Sequence, residues 1–285
     1  MCEHRYVARR WLSGPRCARA AGSLGGVLAI LDGAVMDSRD ASISILDDGL
    51  LRGDGVFEVV RVYAGRPSAL DEHVERMTRS AASLHLPFAQ DLLRADVHVL
   101  LATAGLIDAA MRLVVTRGGR RIGLLYPLPT FPETIALATI PYAPTGVIDG
   151  VKSLSYAANV LLTRLAVESG ADEALLVSPQ GRVLEGPTTS FFYVLHGELF
   201  TPPLSDRILD SISRRRLLAV TDATERATPL DDLATISEAF LTSVLRDAQA
   251  VRAIDGRAMP SAPGPVTAAA ARRVRESVAN ALELE

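Results

Sequence analysis

The sequence predicts a mixed α+β protein built in two parts, and three observations carry that reading. Some segments repeat apolar residues at helical spacing while others hold them in short continuous runs. A Pro- and Gly-rich stretch, Pro141–Gly150 (PYAPTGVIDG), separates a first set of such segments from a second. A chain of 285 residues, 48% hydrophobic and 22% charged, suffices for one large core or two modest ones.

Residues 1–25 are rich in Arg and Ala and hold no continuous apolar stretch ahead of a cleavage site. They read as a disordered extension or a start codon placed too early rather than a secretory signal. A first α+β unit is expected over 26–140, where DEHVERMTRS forms a helix that sets His73 and Arg76 one turn apart on one face. A strand ends near Ile140 and the connector 141–150 follows. In the second unit, 151–285, a helix is expected from about Ala157 to Ser169, with apolar residues at 160, 161, 162, 165 and 167 and Gly170 as its stop. ADEALLVS reads as a buried strand, and the next strand-like run is interrupted at Glu185, ahead of Gly186 and Pro187. Ser211 and Ser213 bracket the start of a helix running to about Val220, and a helix from about Pro265 to Leu282 closes the chain.

The net charge of -3 offers no general attraction to nucleic acid or to an acidic membrane, so small molecules are the expected partners. Two cysteines, Cys2 and Cys17, make neither a disulfide framework nor a zinc cluster and fit a cytoplasmic setting. The longest apolar runs fall well short of the roughly 20 residues of a membrane span.

Of the 30 basic residues a single one is lysine, Lys152, and the rest are arginine. A chain that uses arginine wherever charge alone serves keeps a lysine where an amine must lose its proton and attack a carbonyl to form an imine. Glu185 is a candidate to keep a pyridine nitrogen protonated, against the plainer reading of a turn residue. The helix start at Ser211–Ser213 suits an anion such as a phosphate, against simple capping by a serine. Arg76 can clamp a phosphate through two parallel hydrogen bonds, or form an exposed helix pair with Glu72.

In this order these pieces resemble the fold type IV pyridoxal-phosphate enzymes, the class IV aminotransferases. The resemblance runs from about Val27 to Glu285 through LDDGLLRGDGVFEVVRVYAGRPSALDEHVERMTRS, VKSLSYAANVLLTRLAVESGADEALLVSPQGRVLEGPTTSFF, LFTPPLSDRILDSISRRRLLAV and VRAIDGRAM. It implies a small N-terminal α+β domain and a larger β-barrel-like C-terminal domain, with pyridoxal 5'-phosphate in the cleft between them and a homodimer closing the site. It implies that Lys152 carries the cofactor and shuttles protons and that Glu185 partners the pyridine nitrogen. Arg76, Ile212, Ser213 and Ser243 would hold the phosphate, although Val244 stands where many members carry Thr, and Arg246 has no assigned role.

GDGVFEVVRVYAG, which brings Phe57 to the substrate side, is most similar to the D-amino-acid aminotransferases. Arg52 replaces the aromatic residue usual in branched-chain enzymes and Leu50 the tyrosine usual in D-amino-acid enzymes, so both common carboxylate-binding devices are altered. Arg52 and the cluster TRGGRR, with Arg117, Arg120 and Arg121, are then the candidate donors to the substrate carboxylate, or else serve solubility or a dimer interface. The expected activity is exchange of an amino group between a D-amino acid and a 2-oxo acid. Aminodeoxychorismate lyase and branched-chain or (R)-amine transaminases are the alternatives.

Overall fold

The computed structural model describes residues 27–284; the reading of the first 25 residues lies outside them. Two sheets organise the molecule. The first has the order β2-β1-β6-β5-β3-β4. Its strands are β1 (Leu28–Leu31), β2 (Ala34–Asp37), β3 (Gly55–Tyr63), β4 (Arg66–Pro67), β5 (Ala109–Thr116) and β6 (Arg121–Tyr126). A short α1 (Asp48–Leu51) precedes β3, and α2 (Leu70–Ser83) and α3 (Gln90–Ala104) cross between β4 and β5. Alternation along the strands decides the packing: Val56, Val60 and Val62 of β3 and Met111, Leu113 and Val115 of β5 form a core with Met77 of α2 and Leu93, Val97 and Leu100 of α3. The opposite face of the same strands is left for other uses.

After β7 (Thr134–Pro141) the chain passes a 3-10 turn at Gly146–Ile148 and reaches Lys152. Then come α4 (Ala157–Glu168), β8 (Glu173–Val177), β9 (Arg182–Val183), β10 (Ser190–Leu195) and β11 (Glu198–Thr201). The remaining elements are α5 (Ile212–Val220), β12 (Thr224–Glu225), β13 (Thr228–Pro229), β14 (Glu238–Ser243), β15 (Arg246–Ile254), β16 (Arg257–Ala258) and α6 (Pro265–Leu284). The second sheet runs β12-β11-β10-β14-β15-β7-β8-β9-β13, with β16 on β15. It is mixed, since β7 lies parallel to both β15 and β8. One apolar cluster includes Phe191, Tyr193 and Leu241; another joins Phe192 and Phe240 to α5 and α6; a third seats α4 through Leu162 and Ala166. Strands buried on both faces explain why ALLV and SFFYVL read as unbroken apolar runs rather than alternating ones.

Candidate active site

The segment Lys152–Leu154 is zipped along β3. Phe57 donates its backbone N–H to the Lys152 carbonyl at 3.1 Å, Leu154 donates to the Gly55 carbonyl at 2.8 Å, and Val56 bridges Ser153. The Lys152 backbone N–H donates to Ser80 Oγ of α2 at 3.2 Å. This fixes the lysine at the junction of the two sheets, with Nζ 4.4 Å from the centre of the Phe57 ring. Tyr156 packs its ring edge-on against Phe57 at 5.2 Å and donates its hydroxyl to the Pro187 carbonyl at 3.1 Å. With aromatic surface on one side and few neighbouring anions, burial pushes the Lys152 amine down to about 8.

Glu185 follows β9 and enters the same cleft. One carboxylate oxygen accepts the Leu209 N–H at 2.9 Å, yet burial dominates and raises the group to about 8. Both side chains keep a strip of surface open to the cleft while protein surrounds them otherwise. Each feels the other's charge as a lesser influence beside burial. Two groups of opposite type, both drawn toward neutrality, mark a site prepared for proton transfer.

Ser211 caps α5, its hydroxyl accepting the Arg214 N–H at 3.4 Å. Ile212, Ser213, Ser243 and Val244 line one small cavity of about 30 Å³, with His73 also in its wall. Arg76 extends Nη1 to the Asp210 carbonyl at 3.2 Å, just ahead of that cap. Its ion pair is buried and is made with Glu58 of β3 at 2.7 Å, in place of the exposed pair with Glu72.

The four arginines singled out for the substrate carboxylate are each engaged by a carboxylate of the chain itself. Arg52 is exposed and pairs with Asp48 at 3.0 Å. Arg117 pairs with Asp54 at 2.9 Å, Arg120 with Asp32 at 2.7 Å and Arg121 with Asp96 of α3 at 2.8 Å. Arg121 opposes Val115, so it lies on the sheet face that packs against α3. Arg112 lies on the other face. It opposes Val59 and Leu124, in phase with Phe57 and Tyr126, and its guanidinium sits 4.9 Å from the Phe57 ring centre and beside the Tyr126 hydroxyl. Among the described residues no carboxylate pairs with it. A signal for Arg112 exists in the sequence: it is the one charge in the strand AAMRLVVT, as Glu58 is the acid among the apolar residues of GVFEVV. Arg246, unassigned from sequence, donates to buried Glu173 at 2.6 Å and covers the Phe131 ring at 4.4 Å.

An amine with a depressed pKa, a carboxyl group held near neutrality, and a capped helix start beside an arginine can together accept a molecule bearing a carbonyl, a protonatable ring nitrogen and a phosphate. Comparison with known proteins places the chain in a family. The sequence model of the family "Amino-transferase class IV" matches residues 55–254. The chain is 36% identical over 253 residues to a Methanocaldococcus jannaschii protein named "Putative branched-chain-amino-acid aminotransferase", covering 80% of this chain and 88% of that one. It is 30% identical over 262 residues to a D-alanine aminotransferase of Bacillus licheniformis, covering 84% and 92%. A solved structure described as a hypothetical aminotransferase of Mycobacterium tuberculosis in its PLP-bound form superposes with a TM-score of 0.81 at 26% identity, over 89% of this chain and 99% of that chain. The chain therefore belongs to the class IV aminotransferases, fold type IV enzymes that work with pyridoxal 5'-phosphate.

Proposed function

We propose that the enzyme exchanges an amino group between a D-amino acid and a 2-oxo acid, holding the substrate carboxylate with Arg112. The observation that carries this reading is an arginine on the cleft face of the first sheet, beside the Phe57 ring that Lys152 also covers, without a carboxylate partner among the described residues. A carboxylate entering a partly dry cleft needs a charged donor, and the forked guanidinium supplies direction as well as charge. Leu50, where a tyrosine hydroxyl is expected, is more than half exposed and cannot donate.

Lys152 is the residue that carries the cofactor and moves the proton. Below about pH 8 it holds that proton, and above it the amine is free to attack or to act as base. Bound pyridoxal phosphate supplies a ring that accepts the electron pair left when the substrate's α-hydrogen is removed. Glu185 keeps a proton at the ring nitrogen, which makes that acceptance possible. Arg76 and the N–H groups at Ile212 and Ser213 hold the phosphate, and Ser243 contributes from the end of β14. Phe57 and Tyr156 keep water from the amine.

The D preference rests on the GDGVFEVVRVYAG resemblance and on the Bacillus relative. An L-branched-chain substrate is the second reading, favoured by the 36% identity to the Methanocaldococcus protein. A panel of D- and L-amino acids with 2-oxoglutarate as acceptor separates the two. Conversion of D-amino acids supports the proposal, conversion of branched L-amino acids alone transfers it to the second reading, and pyruvate release from aminodeoxychorismate without transamination refutes both.

A homodimer is part of the proposal. Ile45, Leu46, Leu50 and Leu51 just before β3, the strand that pairs with the Lys152 segment, and Val160, Leu161 and Leu165 on α4, which follows that segment, are exposed apolar side chains. Apolar surface of that kind is commonly covered by a second subunit. Light scattering of the purified protein tests it, with a monomeric mass as the refuting result.

A further inference from the structure

The strand that turns Phe57 toward the cleft turns Glu58 the opposite way, against α2. Glu58 has no exposure to solvent. Its Oε1 accepts Arg76 Nε at 2.7 Å, and its Oε2 accepts Arg76 Nη2 at 2.7 Å and faces His73 Nδ1 at 2.8 Å. Burial works to raise this carboxyl, but the hydrogen bonds from Arg76 and then His73 outweigh it and hold the group at about 2. Burial also lowers His73, so a neutral imidazole with its proton on Nδ1 serves as donor and the cluster carries one charge of each sign. Apolar residues of similar volume commonly stabilise a core as well as a buried ion pair does, so stability alone does not account for this one.

The geometry of the grip supplies the other reason. Glu58 occupies Nε and Nη2, one edge of the guanidinium, and leaves Nη1, which reaches the Asp210 carbonyl ahead of the α5 cap. Without that fork the Arg76 plane would be oriented by one hydrogen bond alone, from Nη1 to the Asp210 carbonyl at 3.2 Å.

We propose that Glu58 is a positioning residue for the phosphate of the cofactor, fixing the Arg76 guanidinium so that Nη1 faces the start of α5. This rests on the reading of Arg76 and α5 as the phosphate-holding groups. The test uses the full-length protein stripped of cofactor and titrated with pyridoxal phosphate, followed by visible absorbance. Glu58→Gln is expected to weaken affinity tenfold or more, Arg76→Ala to weaken it comparably, and the double variant to be no weaker than Arg76→Ala alone, because Glu58 acts through Arg76. Two losses that multiply in the double variant overturn the proposal. So does a Glu58→Gln protein that melts earlier without cofactor yet binds it as the parent does, which is the pattern of a purely structural ion pair. Should Glu58→Gln not fold, Glu58→Asp keeps the buried charge on an arm one methylene shorter and is expected to weaken affinity severalfold; unchanged affinity overturns the proposal. Failure of the parent to take up pyridoxal phosphate refutes the phosphate-site reading itself and is distinguishable from either outcome.

Discussion

Replacing Arg112 with leucine removes the one guanidinium that the first sheet points at Phe57 and Tyr126, and leaves the strand's apolar partners in place. Among the described residues no ion pair is lost with it, so the fold is expected to tolerate the change. The cost falls on the substrate. A hydrogen bond to a charged group contributes about 1.5 to 3 kcal/mol, which is roughly ten- to hundredfold in the KM for an amino acid. Steady-state kinetics with an amino acid, run beside a simple amine that lacks the carboxylate, separate binding of that group from damage to the site. KM for the amino acid should rise by that factor while turnover of the amine stays within about twofold. Arg121→Leu is the control: its guanidinium is held by Asp96 on the opposite face, so KM should not move. A KM change below about threefold for Arg112→Leu, or an equal loss with the amine, would refute the assignment.

Three further outcomes follow from the same geometry. Glu185→Gln keeps the shape of the site but gives up the proton exchange with the ring nitrogen, so cofactor should remain bound while turnover falls by roughly 10² or more, the scale of a lost electrostatic stabiliser; unchanged turnover would return Glu185 to a turn role. Because the Lys152 amine is pushed down to about 8, its neutral fraction grows as pH rises, so covalent capture of the cofactor by the stripped protein, trapped with borohydride, should accelerate from pH 6 and level off above about 8. A rate independent of pH in that range would contradict the depressed value, and label on any peptide without Lys152 would contradict the assignment. Arg246→Ala leaves Glu173 buried without its cation, which typically costs about 3 to 5 kcal/mol; urea denaturation measures this, and a loss below about 1 kcal/mol would show that the pair is open to solvent.

Local sequence determined much of the helical framework. Helices over Ala157–Glu168, Ile212–Val220 and Pro265–Leu284 start and stop within a few residues of where periodicity and capping place them, because those signals are local. Lys152 was legible for a chemical reason: in a chain that otherwise uses arginine, a lone amine stands out without any knowledge of its surroundings. Which arginine faces the cleft was not legible. Arg112 and Arg121 lie in neighbouring strands of the same sheet, and strand register, set by the pairing of β5 with β3 and β6, sends one to the cleft and the other to α3. A one-residue difference in phase reverses the face, and that phase depends on long-range pairing that no short window contains. Partners separated widely in sequence followed the same rule: Glu58 meets Arg76 and Glu173 meets Arg246 only after the sheets and helices have packed. The sequence thus determined which chemical groups the chain possesses and where its helices begin, whereas tertiary structure decided which of its charges neutralise one another and which, among the described residues, are left without a carboxylate partner.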